Sequence, residues 1–331
     1  MTDSPPSPIL DVENLRVAFR TREGTLHAVN GVSFRLFPGE TLGIVGESGS
    51  GKSVSVTSLI GLTPKARTEI SADRALFEGA DLLGQSAEGL RRIRGARIGM
   101  IFQDPMTSFN PVLTIGRQIA EPLIYHKGAS RAVARAKAVE MLHLVGIPHA
   151  EQRVHNYPHE LSGGMRQRAM IAMALVCSPE VLFADEPTTA LDVTVQAQIV
   201  ELVRGIRDRL KMSVVWITHD LSLLAGFADR IAVMYGGRIV ETGGVDEIYA
   251  RPNHPYTQGL MQSLPKLRGP RQAELPQISG TPPTLYDAPA GCPFVDRCAV
   301  ALDLCRHRPP PETALTDSHS SWCWRNGGAD A

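Results

Sequence analysis

The run Gly46, Glu47, Ser48, Gly49, Ser50, Gly51, Lys52, Ser53 fits the pattern G-x-x-x-x-G-K-[ST]. Its glycines let the backbone curl until successive N–H groups face one anion, and a helix opening at its end adds its dipole. Lys52 then reaches the β and γ phosphates of a nucleotide, and the Ser53 hydroxyl is offered to Mg²⁺. Further along, an apolar run ends in Asp185 and Glu186. Such a pair divides the remaining work: the first acid holds Mg²⁺ through water, and the second takes a proton from the water that attacks the γ phosphate. Between the two lies Leu161, Ser162, Gly163, Gly164, Met165, heading an amphipathic run. A serine and two glycines at a helix start make a second anion site, and one phosphate loop does not account for two. The last constellation is made of thiols, Cys292, Cys298, Cys305 and Cys323, spaced C-x5-C-x6-C-x17-C.

The elements that must position these groups are legible as alternating patterns. Short apolar runs at 15–19, 42–45, 97–102, 181–184 and 213–218 read as strands, several with no polar alternation, which marks strands buried on both faces. Helical patterns follow Lys52, run from about 130 to 145 and restart at Ser162, so the fold class is α/β with a largely parallel sheet. Residues 231–235, Gly236-Gly237 and 238–241 read as a hairpin with a two-glycine turn. Twelve of the 24 prolines fall in 252–331, which makes the tail a different kind of object from the alternating region. Within it, 265–291 reads as an extended connection leading to the thiols, which are expected in a domain apart from Lys52 and Ser53.

Zinc ribbons present C-x2-C knuckles around a small tetrahedral ion, and the wider spacing here suits a bulkier iron–sulfur cluster better, with zinc and free thiols as alternatives. Arg297, Arg306, Arg308 and Arg325 are placed to offset thiolate charge, and Trp322 and Trp324 flank the last cysteine. Cys177, in an apolar helical pattern, reads as a buried small hydrophobe.

Composition excludes several classes. The 331 residues carry 34 basic and 34 acidic side chains, so there is no electrostatic footprint for nucleic acid, and none is expected as a partner. The basic run Arg91, Arg92, Arg94, Arg97 reads as a solvated helix face. With 43% apolar and 21% charged residues the chain is globular. Its longest apolar stretch, 171–184, is broken by Ser178, Pro179 and Glu180, so no membrane helix is expected. The first ten residues lack a basic start and an apolar core, so no secretory signal is expected and a cytoplasmic address follows.

Taken in order over about residues 9–264, these motifs resemble the ATP-binding cassette (ABC) family. Leu161, Ser162, Gly163, Gly164 and Met165 resemble its signature LSGGQ, with a methionine thioether where the family has an amide donor. Gln103 resembles the Q-loop glutamine, which joins Ser53 and Asp185 around Mg²⁺; Ala190, Leu191 and Asp192 resemble the D-loop. His219 resembles the switch histidine that works with Glu186, and Phe19 the aromatic that stacks on adenine. The resemblance implies a P-loop ATPase fold with a RecA-like core sheet, an antiparallel β subdomain and a helical subdomain at about 104–165, the whole cassette spanning 1–250. It also implies two cassettes facing each other, each ATP held between the phosphate loop of one and the signature of the other.

Arg251-Pro252-Asn253-His254-Pro255-Tyr256-Thr257 and the apolar residues after it resemble the extension of ATPase subunits from dipeptide and oligopeptide permeases and their nickel-importing relatives. That branch implies a 251–291 extension and linker and a 292–325 module in which the four cysteines bind [4Fe-4S], with zinc as the alternative. It further implies a second, different ATPase chain, two transmembrane permease subunits, an extracytoplasmic substrate-binding protein, and a peripheral place on the cytoplasmic face of the bacterial inner membrane. Dipeptide, longer peptide and nickel stay open as cargo. A soluble ABC-type ATPase acting on ribosomes or DNA, and an iron–sulfur redox enzyme, are the rival classes.

Overall fold

The computed structural model describes residues 7–189, 192–264, 277–286 and 288–326. The chain divides into two compact units, one made of Phe37–Glu40 and Gly84–Ile217, the other of Ser7–Leu36, Thr41–Leu83 and the residues from Thr218 onward.

In the first unit three parallel strands, Ile98–Ile101, Val181–Asp185 and Ser213–Thr218, lie side by side with Val181–Asp185 in the centre. Every residue of the last two is buried, as runs without polar alternation require. Their register sets Ile101 opposite Ala184 and Asp185 opposite Ile217, so the groups that follow all three strands emerge at one edge. The other elements are helical. Arg131–Leu144 is capped by the Ser130 hydroxyl, which accepts from the Val133 N–H, and it buries Ala134, Ala138, Met141 and Leu142, one stripe at helical spacing. Ile115–Lys127 has the same kind of cap in Thr114 and stops at Gly128, φ 63°. Val193–Leu210 starts at Asp192.

Two details of this unit depart from the sequence reading. Arg97 lies beyond the helix Ala87–Ile93: its guanidinium, still partly exposed, grips Glu180 through two hydrogen bonds of 2.7 and 2.9 Å, while Arg91 and Arg92 pair with Glu88 one turn back. Cys177 is buried as expected but sits beyond the helix Gly163–Leu175, where burial raises its thiol pKa.

The second unit holds an antiparallel sheet with Leu10–Arg20 at its centre, flanked by Thr25–Leu36 on one side and by Thr68–Ser71 and Arg74–Phe77 on the other. It also holds Thr41–Val45, parallel to Arg230–Tyr235, which turns back antiparallel into Arg238–Gly244. Gly236 and Gly237 make that turn at φ 52° and 76°, the left-handed pair a two-residue hairpin loop needs. Gly43 lets the Leu224 side chain pack against its strand, since a Cβ there would lie 2.7 Å from a Leu224 methyl carbon. The tail joins the same assembly: Ser320–Ser321 pairs with Arg238–Gly244. Among the described residues no helix is long and apolar enough to cross a membrane.

Candidate functional site

The phosphate loop leaves the buried strand Thr41–Val45 and closes into the helix Lys52–Leu59. A Cβ on Gly46 would lie 2.0 Å from the Met234 carbonyl oxygen and one on Gly51 2.3 Å from that of Ala28, so backbone from two other strands packs where side chains would be. Gly51 also stands at φ 98° as the helix N-cap with no side-chain cap, which leaves the first-turn N–H groups directed into the loop. Lys52 is only 4% exposed, and its ammonium donates to the carbonyls of Gly46 (2.8 Å) and Glu47 (2.9 Å). The Ser50 hydroxyl is buried without a hydrogen-bond partner, Ser53 is half-buried in the first helical turn, and Ser48 and Gly49 are exposed.

Three further groups grip this loop, and the sequence reading named none of them for it. The Glu47 N–H donates to the Tyr256 hydroxyl (2.9 Å), the Gly237 N–H donates to the Ser50 carbonyl (3.0 Å), and Arg297 donates to both carboxylate oxygens of Glu47 (2.6 and 3.1 Å). The phosphate loop pattern predicts none of this, because the partners lie about 190 to 250 residues away in sequence. Arg297 was expected to offset thiolate charge; Glu47 takes that charge instead, and Arg306 pairs with Asp296 (2.7 Å). Burial raises the pKa of Cys298 and Cys323, and the Arg325 charge offsets only part of that rise.

In the other unit the acid pair ends its strand as expected. Asp185 is 6% exposed. Glu186 stands at φ 45°, a left-handed conformation that costs a non-glycine residue about 1–3 kcal/mol and is concentrated at functional sites. Its N–H donates to the Ile217 carbonyl (3.0 Å), and its carboxylate accepts from the Thr189 hydroxyl (2.9 Å) and the Gln103 amide (3.2 Å). The structure thus brings together Glu186 and Gln103, two residues 83 apart that the sequence marks in separate motifs. Ser162 caps the helix Gly163–Leu175 by accepting from the Met165 N–H (3.3 Å), with Leu161 buried and Ser162 and Gly163 exposed. Gln167, one turn in and buried, donates to the Pro187 carbonyl (2.5 Å) and fixes this helix to the loop that follows the acid pair.

Asp192 caps the helix Val193–Leu210 through the Val195 N–H (2.9 Å); Ala190 and Leu191 lie outside the described residues. His219 follows the strand Ser213–Thr218 and is exposed. Phe19 is half-buried on Leu10–Arg20, opposite Leu26 and Thr68.

The four late cysteines line one small pocket, together with His254 and Trp324. The Cys292 N–H donates to the Cys305 carbonyl (2.7 Å), and a Cβ on Gly291 would lie 2.1 Å from that oxygen, so the two cysteine-bearing segments touch backbone to backbone. Burial pushes the Cys292 thiol up to about 12 and raises Cys298 and Cys323. All four are free thiols, and among the described residues no group of three or more His, Cys, Asp or Glu stands close enough to hold a metal ion. The pocket is anchored by Glu241, fully buried, whose carboxylate accepts from the N–H groups of Asn253 (2.7 Å) and His254 (2.8 Å) and pairs with His319 (2.7 Å). Two short helices, Val245–Ala250 and Pro255–Gln262, flank the segment that carries Asn253 and His254.

Comparison with known proteins agrees with this geometry. The family profile "ABC transporter" matches residues 29–189, and "Oligopeptide/dipeptide transporter, C-terminal region" matches residues 240–305. The chain is 52% identical over 316 residues to a dipeptide transport ATP-binding protein of Bacillus subtilis, covering 96% of this chain and 94% of that one. It is 51% identical over 318 residues to a probable peptide ABC transporter ATP-binding protein of Sinorhizobium fredii, covering 96% and 95%. Among solved structures it is similar to the dimeric ATP-binding cassette MJ0796 in a post-hydrolysis state bound to ADP and phosphate, with TM-score 0.63, 28% identity, and 71% and 98% of the two chains covered. It is equally similar to cbiO1 from Clostridium perfringens, part of an ABC transporter complex, with TM-score 0.63, 29% identity and coverage of 74% and 91%.

Proposed function

Because the chain belongs to the ATP-binding cassette family, in its oligopeptide and dipeptide transporter branch, we propose that it is the ATP-hydrolysing subunit of a bacterial importer of di- or oligopeptides, coupling ATP binding and hydrolysis to translocation by membrane subunits. The observation that carries this reading is one chain joining a cassette to the permease-type C-terminal region, about half identical over nearly its whole length to peptide-transport proteins.

In this reading the loop Gly46–Ser53 holds the ATP phosphates with its N–H groups and Lys52, and Phe19 stacks on the adenine. Ser53, Gln103 and Asp185 offer the hard oxygen donors that suit Mg²⁺, which supplies charge neutralisation to the phosphates when bound. Glu186 accepts a proton from water as its oxygen forms a bond to the γ phosphorus and the bond to the ADP oxygen breaks; Gln103 and Thr189 orient the carboxylate, and His219 assists. The signature Leu161–Met165 and the D-loop Ala190–Asp192 serve the ATP of a facing cassette. The exposed, Ser162-capped start of the helix Gly163–Leu175 supports that division of labour. The partner cassette is a different chain; the remaining partners are two transmembrane permease subunits and an extracytoplasmic substrate-binding protein, and the chain sits peripherally on the cytoplasmic face of the inner membrane.

The domain division that goes with this function is a cassette at 1–250, a helical subdomain at 104–165, an extension and connection at 251–291, and a cysteine module at 292–325. Support for the second comes from Pro105–Ser108, Ile115–Lys127, Arg131–Leu144 and Ala150–Arg153, all helical. Donor chemistry supports a [4Fe-4S] cluster at Cys292, Cys298, Cys305 and Cys323: four soft sulfurs line one pocket and would hold the cluster as thiolates.

Purification of the tagged chain from native membranes tests the function. It should arrive with two polytopic proteins and a second ATPase chain, and its deletion should abolish uptake of labelled di- and tripeptides. Recovery with ribosomes or DNA and no membrane protein overturns the reading.

A further inference from the structure

Arg297 immediately precedes Cys298, yet its side chain points away from the thiols and into the phosphate loop. Nη1 donates to Glu47 Oε2 (2.6 Å) and the Tyr235 hydroxyl (3.1 Å), Nη2 to Glu47 Oε1 (3.1 Å) and the Ile278 carbonyl (3.1 Å), and Nε to the Ser279 carbonyl (2.9 Å). All five guanidinium donors are used, which fixes the plane of the fork. The pair is well shielded, with the Arg297 side chain 7% and that of Glu47 25% exposed, and the guanidinium lies over the rings of Tyr235 and Phe294. Glu47 is held a second time by Tyr256, and its own carbonyl accepts from Lys52. A displacement of Glu47 therefore moves an oxygen that positions the lysine.

We propose that Arg297 is a positioning residue for the phosphate loop: by pairing with Glu47 it sets the affinity for ATP and links the cysteine module to the nucleotide site. The physical reason is charge. A carboxylate inside a loop that binds a polyanionic triphosphate repels its ligand unless a cation neutralises it, and the shielding makes both the repulsion and its cancellation stronger than at a surface. Two further contacts bind the module to the same loop. A Cβ on Gly236 would lie 2.6 Å from Pro293, and Gly237, next along, holds the Ser50 carbonyl. Coupling of this kind is reciprocal, so whatever orders the thiols also tunes ATP binding, and ATP binding orders the thiols.

The inference rests on reading Gly46–Ser53 as the nucleotide loop, and the test separates the two. Mg–ATP binding to the full chain is measured by calorimetry for the wild type, R297Q, E47Q, R297Q/E47Q and K52A. R297Q should bind about tenfold more weakly, E47Q within about threefold of wild type, and the double variant should recover most of the loss, because the unpaired carboxylate is gone. If R297Q folds poorly, R297K provides the same comparison: it should bind between wild type and R297Q, and adding E47Q should restore it. Wild-type affinity in R297Q, or equal losses in the single and double variants as for a purely structural staple, overturns the coupling. Undiminished binding by K52A overturns the loop reading itself.

Discussion

At the scale of residues, the catalytic assignment turns on Glu186. Its φ of 45° aims the side chain against the preference of the backbone, and Thr189 and Gln103 hold it there. Glu186→Gln keeps the size and the hydrogen-bonding oxygen but removes the proton acceptor. In the assembled complex it should leave ATP binding intact and lower turnover by ~10² to 10⁴-fold, the usual worth of a general base. Near-normal steady-state ATPase activity sinks the assignment. Lys52 shows a different constraint. Being almost fully buried, it keeps its ammonium satisfied by two loop carbonyls, so its charge is already held inside the loop.

At the scale of elements, the two helix starts proposed to meet phosphates are capped by different means. Lys52–Leu59 begins at a glycine with no side-chain cap, whereas Gly163–Leu175 begins at Ser162, whose hydroxyl covers one N–H and leaves the rest exposed. Ser162→Ala removes a cap worth about 1 kcal/mol of stability and should depress the melting temperature slightly. Ser162→Arg adds bulk and should abolish hydrolysis in the complex while nucleotide binding to the chain's own phosphate loop, measured on the isolated protein, stays at the wild-type value. Loss of binding in that variant contradicts a site shared between two cassettes. A related expectation is that the isolated chain at low concentration hydrolyses ATP far more slowly than the complex; equal rates contradict the shared site as well.

At the scale of the whole molecule, the described tail packs within the same compact unit as the phosphate loop. Ser320–Ser321 extends the pairing of Arg238–Gly244, Glu241 clamps His254 and His319, and Arg297 reaches Glu47. The sequence places the cysteines in a domain apart from Lys52; the structure places both in one compact unit. Anaerobically purified protein should be brown, with about four irons per chain, as a cubane cluster requires. Cys305→Ser, or chelation of the iron, should lower both the melting temperature and the yield of assembled complex, because a short segment with few large apolar residues depends on its staple. Stoichiometric zinc without iron overturns the cluster, and an ATPase rate that follows the oxidation state of the metal overturns a structural role for it.

The sequence alone determined what depends on local spacing. The phosphate loop between a strand and a helix, the acid pair at a strand end, the serine-capped helix at 163, the two-glycine turn and the doubly buried strands are each set by residues a few positions apart, where sterics and backbone hydrogen bonding act directly. Tertiary structure alone decided the pairings between distant segments. Gln103 with Glu186, Gln167 with Pro187, Arg97 with Glu180 and Arg297 with Glu47 join residues 20 to 250 apart. No periodicity encodes such contacts, because an arginine in a cysteine-rich tail has many carboxylates within reach of its charge. Which one it meets is fixed only when Tyr235, Tyr256 and Phe294 pack and close the pocket that shields the ion pair.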